Sequence, residues 1–324
     1  MIASLRRILA FALALLALAA VAEAQDDYPS RTIRIVVGFA AGGGNDIFAR
    51  LVGAKLAELT GQSVIIENRP GAGSRLANEY AATRPPDGYT LLVAASGGMS
   101  IASAIYPKLP YHPTKSFVPL TMIASFPLIL SVAADSPAKT VPELVARMKA
   151  NPDKANYATT SPAFTIATEL FKLKTGAPGT AIPYKSSGDA LVALLGGQAL
   201  LAIADGPPTV PLVKSGKIRA LAVTGAQRSD ELPDVPSMAE VGYPEVNTGL
   251  WSGVFVQAAT PAPIVRKLED ALRRVIADPE VSARLKAMAV TPGGGPSEEF
   301  RAMIDADIKT TLEVVTAAKL EFPE

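Results

Sequence analysis

The sequence predicts an α/β protein: two doubly wound lobes facing a cleft. Three observations carry that expectation. A cadence of short β-branched run, Gly- or Ser-rich loop and amphipathic helix repeats along the chain, and strands alternating with helices argue a parallel sheet with helices on both faces. The cadence runs in two series, one from Tyr28 and one from near Pro127. The 324 residues, 49% apolar and 19% charged, suffice for two cores, and no low-complexity linker interrupts them.

In the first series, 33–37 reads as a strand. Gly42-Gly43-Gly44-Asn45-Asp46 follows, then a helix to about Leu59 with Phe48, Val52, Leu56 and Leu59 on one face. A strand at 64–67, the loop Arg69-Pro70-Gly71-Ala72-Gly73-Ser74 and a helix to about Ala82 repeat the unit. A strand at 89–94, Ser96-Gly97-Gly98 and a helix to about Tyr106 repeat it again. The second series opens with a strand at 128–133 and a capping box at Thr140-Val141-Pro142-Glu143. Tyr157 leads through Thr159-Thr160-Ser161 into a helix carrying Ile166, Leu170 and Leu173. Further strands are expected at 181–183, 200–203 and 217–223. The last 75 residues read as mostly helical, with Thr260 and Asp278 as N-caps, each followed by proline at the first helical position. The final helix, from about Ser297, shows Phe300, Ile304, Ile308, Leu312 and Val315 on one side. The division expected is 28–126 plus 250–324 for lobe one and 127–249 for lobe two.

Composition excludes much chemistry. There is no cysteine, so no disulfide, thiol nucleophile or thiolate metal site, and His112 is the one histidine. Lys plus Arg number 31 against 30 acidic residues. Without the first 24 residues, which carry Arg6, Arg7 and Glu23, the balance is 29 against 29. A neutral chain has no bulk electrostatic attraction to nucleic acid or an anionic membrane. No metal or cofactor is expected. Arg6 and Arg7 precede an apolar run at 8–22, and Ala22-Glu23-Ala24 fits a small-x-small site, the layout of a secretory signal peptide cleaved after Ala24. Export to the periplasm is expected.

The Gly42-Gly43-Gly44-Asn45-Asp46 loop lets backbone approach a ligand, and the helix it opens offers unpaired N–H groups to an anion. It is neither a Walker loop nor a dinucleotide fingerprint. Two more strands end in similar loops, 96–98 and 159–161, where ligands sit in open α/β sheets. Ser136-Pro137-Ala138-Lys139 and Lys174-Thr175-Gly176 match fragments of a β-lactamase pattern, but the first falls in a loop and the second at a helix end. A Ser-His-Asp triad would have to use His112, held between prolines, and there is no G-x-S-x-G. Trp251, flanked by Asn247 and Thr248, is a candidate cleft residue as well as a packing one; Lys185 reads as solvated.

Several motifs run in order through the chain: Tyr28-Pro29-Ser30-Arg31, the triple-glycine loop with Asp46, Glu67-Asn68-Arg69-Pro70-Gly71-Ala72-Gly73, Pro86-Asp87-Gly88-Tyr89-Thr90, Pro183-Tyr184-Lys185, Gly196-Gly197-Gln198 and Trp251-x-Gly253-x-Phe255. With them the sequence resembles the Bug-type, TctC-like extracytoplasmic solute receptors of tripartite tricarboxylate transporters. The resemblance implies a type II periplasmic-binding-protein fold, a monomer capturing a small carboxylate between its lobes, delivery to a membrane permease, and no catalysis. By position it implies binding loops at Phe39, Ala40, Gly43, Gly44, Asn45 and Asp46; at Ser96, Gly97 and Gly98; at Thr159, Thr160, Ser161 and Thr165; and around Ala204 and Asp205. Three departures stand out. Asn45 replaces the family's threonine, Ser186 its glycine, and Ala204 occupies the place of its cleft aspartate, with Asp205 one residue late. Arg75, in place of a small polar residue, is a candidate carboxylate clamp. A receptor serving a sensor kinase, or an enzyme on the same fold, are the competing readings. Dicarboxylate, tricarboxylate, acidic amino acid and aromatic acid all stay open as ligand, and the Ala204 substitution tilts away from amino acids.

Overall fold

The computed structural model describes residues 28–225 and 227–317; the expected signal peptide lies outside the described residues. Two mixed sheets form the frame. In spatial order the first holds β11 (Thr291–Pro292), β4 (Phe117–Pro127), β10 (Gly249–Gln257), β3 (Thr90–Ala95), β1 (Ile33–Val37) and β2 (Val64–Asn68), and the second β7 (Thr180–Pro183), β6 (Asn156–Thr159), β8 (Leu201–Ala204), β5 (Ile129–Ala133) and β9 (Ile218–Val223). In the first, β1 (Ile33–Val37) pairs in parallel with β2 (Val64–Asn68) and β3 (Thr90–Ala95). Ile33, Ile35, Val36 and Val37 are all buried, as a central strand covered on both faces requires. The helices α1 (Gly44–Thr60) and α2 (Arg75–Ala82) follow β1 and β2. A wide, π-type turn at 97–101 follows β3 and runs into α3 (Ala102–Ile105).

The sequence cadence missed two long strands. β4 (Phe117–Pro127) and β10 (Gly249–Gln257) pair antiparallel with each other, and β10 also pairs antiparallel with β3, so the sheet is not all parallel. Proline punctuates β4 and glycine β10, which hides both. Pro119 lies opposite Phe255, beside a register shift that absorbs its missing N–H. Gly253 is required: a β-carbon there would sit 2.3 Å from the Phe300 ring of α10 (Ser297–Ala317). The short β11 (Thr291–Pro292) pairs with β4.

The second sheet is contiguous in sequence. β6 (Asn156–Thr159) is parallel to β7 (Thr180–Pro183) and β8 (Leu201–Ala204), while β5 (Ile129–Ala133) runs antiparallel to β8 and to β9 (Ile218–Val223). Its helices are α4 (Val141–Ala150), α5 (Pro162–Thr175), α6 (Ser187–Leu195) and α7 (Gly206–Lys214). The chain passes between the sheets at Leu128 and again ahead of Gly249. Buried Thr224 knits the two crossings. Its hydroxyl accepts from Leu128 N at 2.8 Å and donates to Thr248 O at 2.8 Å, while its N–H donates to Leu128 O at 2.8 Å.

Three local expectations need correction. α5 buries Phe164, Ala167 and Phe171 instead of the Ile166–Leu170–Leu173 stripe; Ile166 and Leu170 only flank the core, and Leu173 is 68% exposed. α8 (Ala262–Ala277) begins one residue later than expected, with Pro261 as its N-cap, and Thr260 Oγ1 caps nothing. On α10, Phe300 and Ile304 are buried but Leu312 is exposed, so the docked stripe stops early. The cap of α9 (Pro279–Lys286) is as expected: Asp278 accepts from Glu280 N and Val281 N. So is that of α4, where Thr140 accepts from Glu143 N.

Candidate functional site

The strand ends of the two sheets meet face to face. Ala40 N donates to Lys185 O at 3.2 Å, tying the loop after β1 to the loop after β7. A β-carbon on Gly43 would lie 3.1 Å from Ser186 Cβ, and one on Gly97 would lie 3.0 Å from Ser161 Oγ. One on Gly73 would touch Pro162, and one on Gly44 would fall 1.6 Å from Asp205 Oδ2. Glycine at these positions is what lets two backbones approach. A cavity of about 290 Å3 opens at this junction, lined among others by Phe39, Ala72, Ser74, Thr160, Tyr184 and Lys185. A larger hollow of about 850 Å3 lies beside the crossing strands and shares none of these residues; Asn247, Thr248 and Trp251 line it.

α4, α6 and α9 are capped by the side chains of Thr140, Ser186 and Asp278. α1, α5 and α7, which also open at the junction, have no side-chain cap; the Gly44 N–H of α1 meets Asp205, and Pro162, Pro207 and Pro208 carry no N–H. Around them, buried polar atoms lack hydrogen-bond partners: Ser74 Oγ, Asn78 Oδ1, Thr160 Oγ1, Ser161 Oγ and Asp205 Oδ1. Native interiors leave few such atoms, and each calls for an explanation. Ser74 is also held in the left-handed region, at φ 78°, where a non-glycine residue is strained.

Ala204 and Asp205 lie in different surroundings. Ala204 closes β8 inside the apolar cluster with Ala158, Ala190 and Leu191, so it does not face the cleft. Asp205, at the N-cap of α7 and 3% exposed, reaches across to the Gly44 backbone. Burial pushes its carboxyl above the usual aspartate range, partly opposed by hydrogen bonds from Ser187 and from the Gly44 backbone.

Other candidates serve the loops from behind. Asp46 is buried and fully engaged, Oδ2 accepting from Gly42 N at 3.0 Å and Arg50 Nε at 2.9 Å, Oδ1 from Asn68 Nδ2 at 2.9 Å. Burial alone would raise its pKa, but these bonds win and lower it. It therefore closes the glycine loop onto α1 and β2. Thr159 and Thr165 pair with each other through their hydroxyls at 2.9 Å. Trp251 sits on the opposite face of β10 from the junction, edge-on to Phe300 at 5.1 Å, with Nε1 donating to Asp307 at 2.9 Å. Strand alternation instead turns the next residue, Ser252, inward, and its hydroxyl donates to Asn45 Oδ1 at 2.5 Å. Arg75 lays its guanidinium over the Tyr106 ring at 3.9 Å, and its Nε donates to Ala72 O. The sequence reading missed Ser74, Asn78 and Ser252 as site residues. The period-2 alternation of a recognised strand would have found the last.

The hydrolase readings gain nothing. Ser136 lies in the loop before α4 and Gly176 is the left-handed C-cap of α5. His112 Nδ1 faces Thr114 and not a serine nucleophile.

Comparison with known proteins agrees with this geometry. The family profile described as "Tripartite tricarboxylate transporter family receptor" (TctC) matches residues 48–320. Protein BugT of Bordetella pertussis is 34% identical over 301 residues, 91% of this chain and 92% of its own. The solved structure of the periplasmic binding protein BugD superposes with a TM-score of 0.87 at 32% identity, covering 91% of this chain and 99% of its own. R. palustris Rpa4515 with adipate gives 0.85 at 34% identity over 91% and 99%. MatC from Rhodopseudomonas palustris with bound malate gives 0.84 at 32% over 89% and 100%. The fold is thus that of the periplasmic binding proteins, and the chain belongs to the TctC family of tripartite tricarboxylate transporter receptors, of the Bug type.

Proposed function

We propose that the protein is a periplasmic receptor that captures a small carboxylate between lobes 28–126 plus 250–324 and 127–249, and presents it to a tripartite-type permease. The observation that carries this reading is the meeting of orphaned buried hydroxyls from both sheets at a junction where glycines bring the two backbones together. Ser74 comes from one side, Thr160 and Ser161 from the other. N–H and O–H donors without a paired carboxylate suit an anion. Adipate and malate in the similar structures are acids of fitting size. Asp205 holds the α1 end of the junction, so the acid's carboxylate belongs nearer Ser74, Thr160 and Ser161, with Lys185 at the rim.

The energetics are adequate. Micromolar capture needs about 8 kcal/mol. Hydrogen bonds to a charged group bring about 1.5–3 kcal/mol each, so four to six donors reach that level after association costs. Closure about the Thr224 crossing completes the site, and no catalytic step is needed. We take the receptor to be a monomer, exported with cleavage after Ala24.

The test is titration of the purified mature protein with dicarboxylates from malate to adipate, citrate, acidic amino acids and aromatic acids, followed by Trp251 emission and by thermal melting. Ligand at a hundred times its Kd adds about 2.7 kcal/mol to stability. Saturable binding of one acid class with the acid recovered intact is the expected result. Silence from both probes across the panel overturns carboxylate recognition.

A further inference from the structure

One side chain outside the junction is wired into it. Asp307 stands on α10, a helix that contributes no residue to the cavity between the sheets. Its Oδ2 accepts from Ser100 Oγ in the wide turn and from Trp251 Nε1 at 2.9 Å. Ser100 Oγ also lies 3.2 Å from Ser96 O. Ser96 N donates to Trp251 O at 3.0 Å, and Trp251 N reaches Ser96 Oγ at 3.4 Å. The four residues therefore form a ring of contacts, hydrogen-bonded from Ser96 through Trp251 and Asp307 to Ser100, whose single proton goes to the carboxylate and leaves Ser96 O alongside at 3.2 Å.

The ring grips an unusual piece of backbone. A π-type turn carries one residue more than an α-turn and is seldom stable unless neighbours hold it, and such turns gather at functional sites. Here Ile101 N reaches back to Ser96 O at 2.9 Å. Gly97 stands where Ser161 approaches from the other sheet, and Gly98 O receives Asn78 Nδ2 at 3.0 Å and the Tyr111 hydroxyl. The turn is thus fixed at Gly98 by Asn78 and Tyr111, and at Ser100 by Asp307.

We propose that Asp307 is a positioning residue for ligand capture. By accepting from both Ser100 and Trp251, it holds the Ser96–Gly97–Gly98 backbone in its binding conformation and couples it to the strand that crosses between the sheets. A carboxylate suits the place because it accepts two donors at once and binds each more strongly than a neutral acceptor would. This inference rests on the receptor reading of the site, and the test keeps the two separate.

The experiment uses the full mature protein and the variants Asp307→Ala, Asp307→Asn and Ser100→Ala, the last as a milder variant that spares the Trp251 bond. Three quantities are read: affinity for whichever acid of the panel binds the wild type, Trp251 emission without ligand, and amide hydrogen exchange across 96–102. For Asp307→Ala we expect about a tenfold loss of affinity, the worth of one charge-assisted hydrogen bond. We also expect a shifted emission maximum and faster exchange confined to the turn. Asp307→Asn, which keeps an acceptor, should recover part of all three. Ser100→Ala should speed exchange and weaken binding with little change in emission. Affinity within twofold of wild type in Asp307→Ala overturns the proposal, and so does lost affinity with unaltered exchange in the turn. If no acid binds even the wild type, the receptor reading fails. The emission and exchange arms then still report whether Asp307 holds the turn, and unchanged values there overturn that as well.

Discussion

Replacing Gly44 with alanine should separate closure from folding. Gly44 is the first residue of α1, with Gly43 as N-cap, and its φ lies outside the left-handed region. A methyl group there imposes no backbone strain and, by helix propensity, stabilises α1 by up to about 1 kcal/mol. Yet the new carbon would stand 1.6 Å from Asp205 Oδ2, against 3.4–4 Å for ordinary contact. The carboxylate must retreat by about 2 Å and give up the Gly44 N–H, a bond to a charged group worth about 1.5–3 kcal/mol. Because the two residues belong to different sheets, that loss falls on the meeting of the sheets and not on either core. The expected result is affinity reduced roughly ten- to a hundredfold, with the melting temperature of the ligand-free protein unchanged or slightly raised. Paired titration and thermal scans read both numbers. Affinity within twofold of wild type, or a melting point lower by several degrees, would refute the reasoning.

Asp205→Asn should alter the pH profile of stability. Because the native pKa is raised, the contribution of Asp205 is full below about pH 4, the usual aspartate value. It is lost as pH climbs through the raised value. Thermal scans from pH 4 to 8 should show the wild type losing ground steadily to the variant. Asp46→Ala should cost about 2–4 kcal/mol in chemical denaturation, since it frees the Gly42 loop and strands Asn68 and Arg50. The wild-type carboxylate, with its lowered pKa, should stabilise the fold above about pH 4 and stop doing so as pH falls through the lowered value. Ser252→Ala should weaken binding about fivefold by releasing Asn45, read in the same titration. Thr140→Ala, remote from the junction, should cost about 1 kcal/mol in a denaturant melt and leave affinity alone.

What could be read from the sequence follows the physics of each signal. β1 and β3 with their glycine loops were plain because a buried central strand is a continuous apolar run and a loop that meets another backbone closely needs glycine. β4 and β10 were not, since Pro119, Pro127, Gly249 and Gly253 look like punctuation until the pairing partner is known. The same ignorance placed Trp251 in the cleft. Without the strand there was no alternation to turn Ser252 inward. Asp46 shows a different limit: its type and position fit a ligand contact, and only the three donors converging on it reveal that its oxygens are already occupied. Asp205 depended on a one-residue spacing that sequence alone could not convert into a position in space. Ser74 carried no signal, because strain at a serine is a property of the folded backbone alone.

The strand order of the first sheet also dictates a sequence of events during synthesis. β10 lies between β3 and β4, yet it is separated from β4 by the whole of the second sheet. The first sheet consequently cannot be zipped together until about 250 residues have emerged, whereas the second is complete once β9 is made. Contacts of such long sequence separation close slowly. Until they do, β3 and β4 expose unpaired edges that invite association with other chains. The half-built chain is thus the aggregation-prone species, and a holding chaperone should recognise segments of the first sheet in preference to the second.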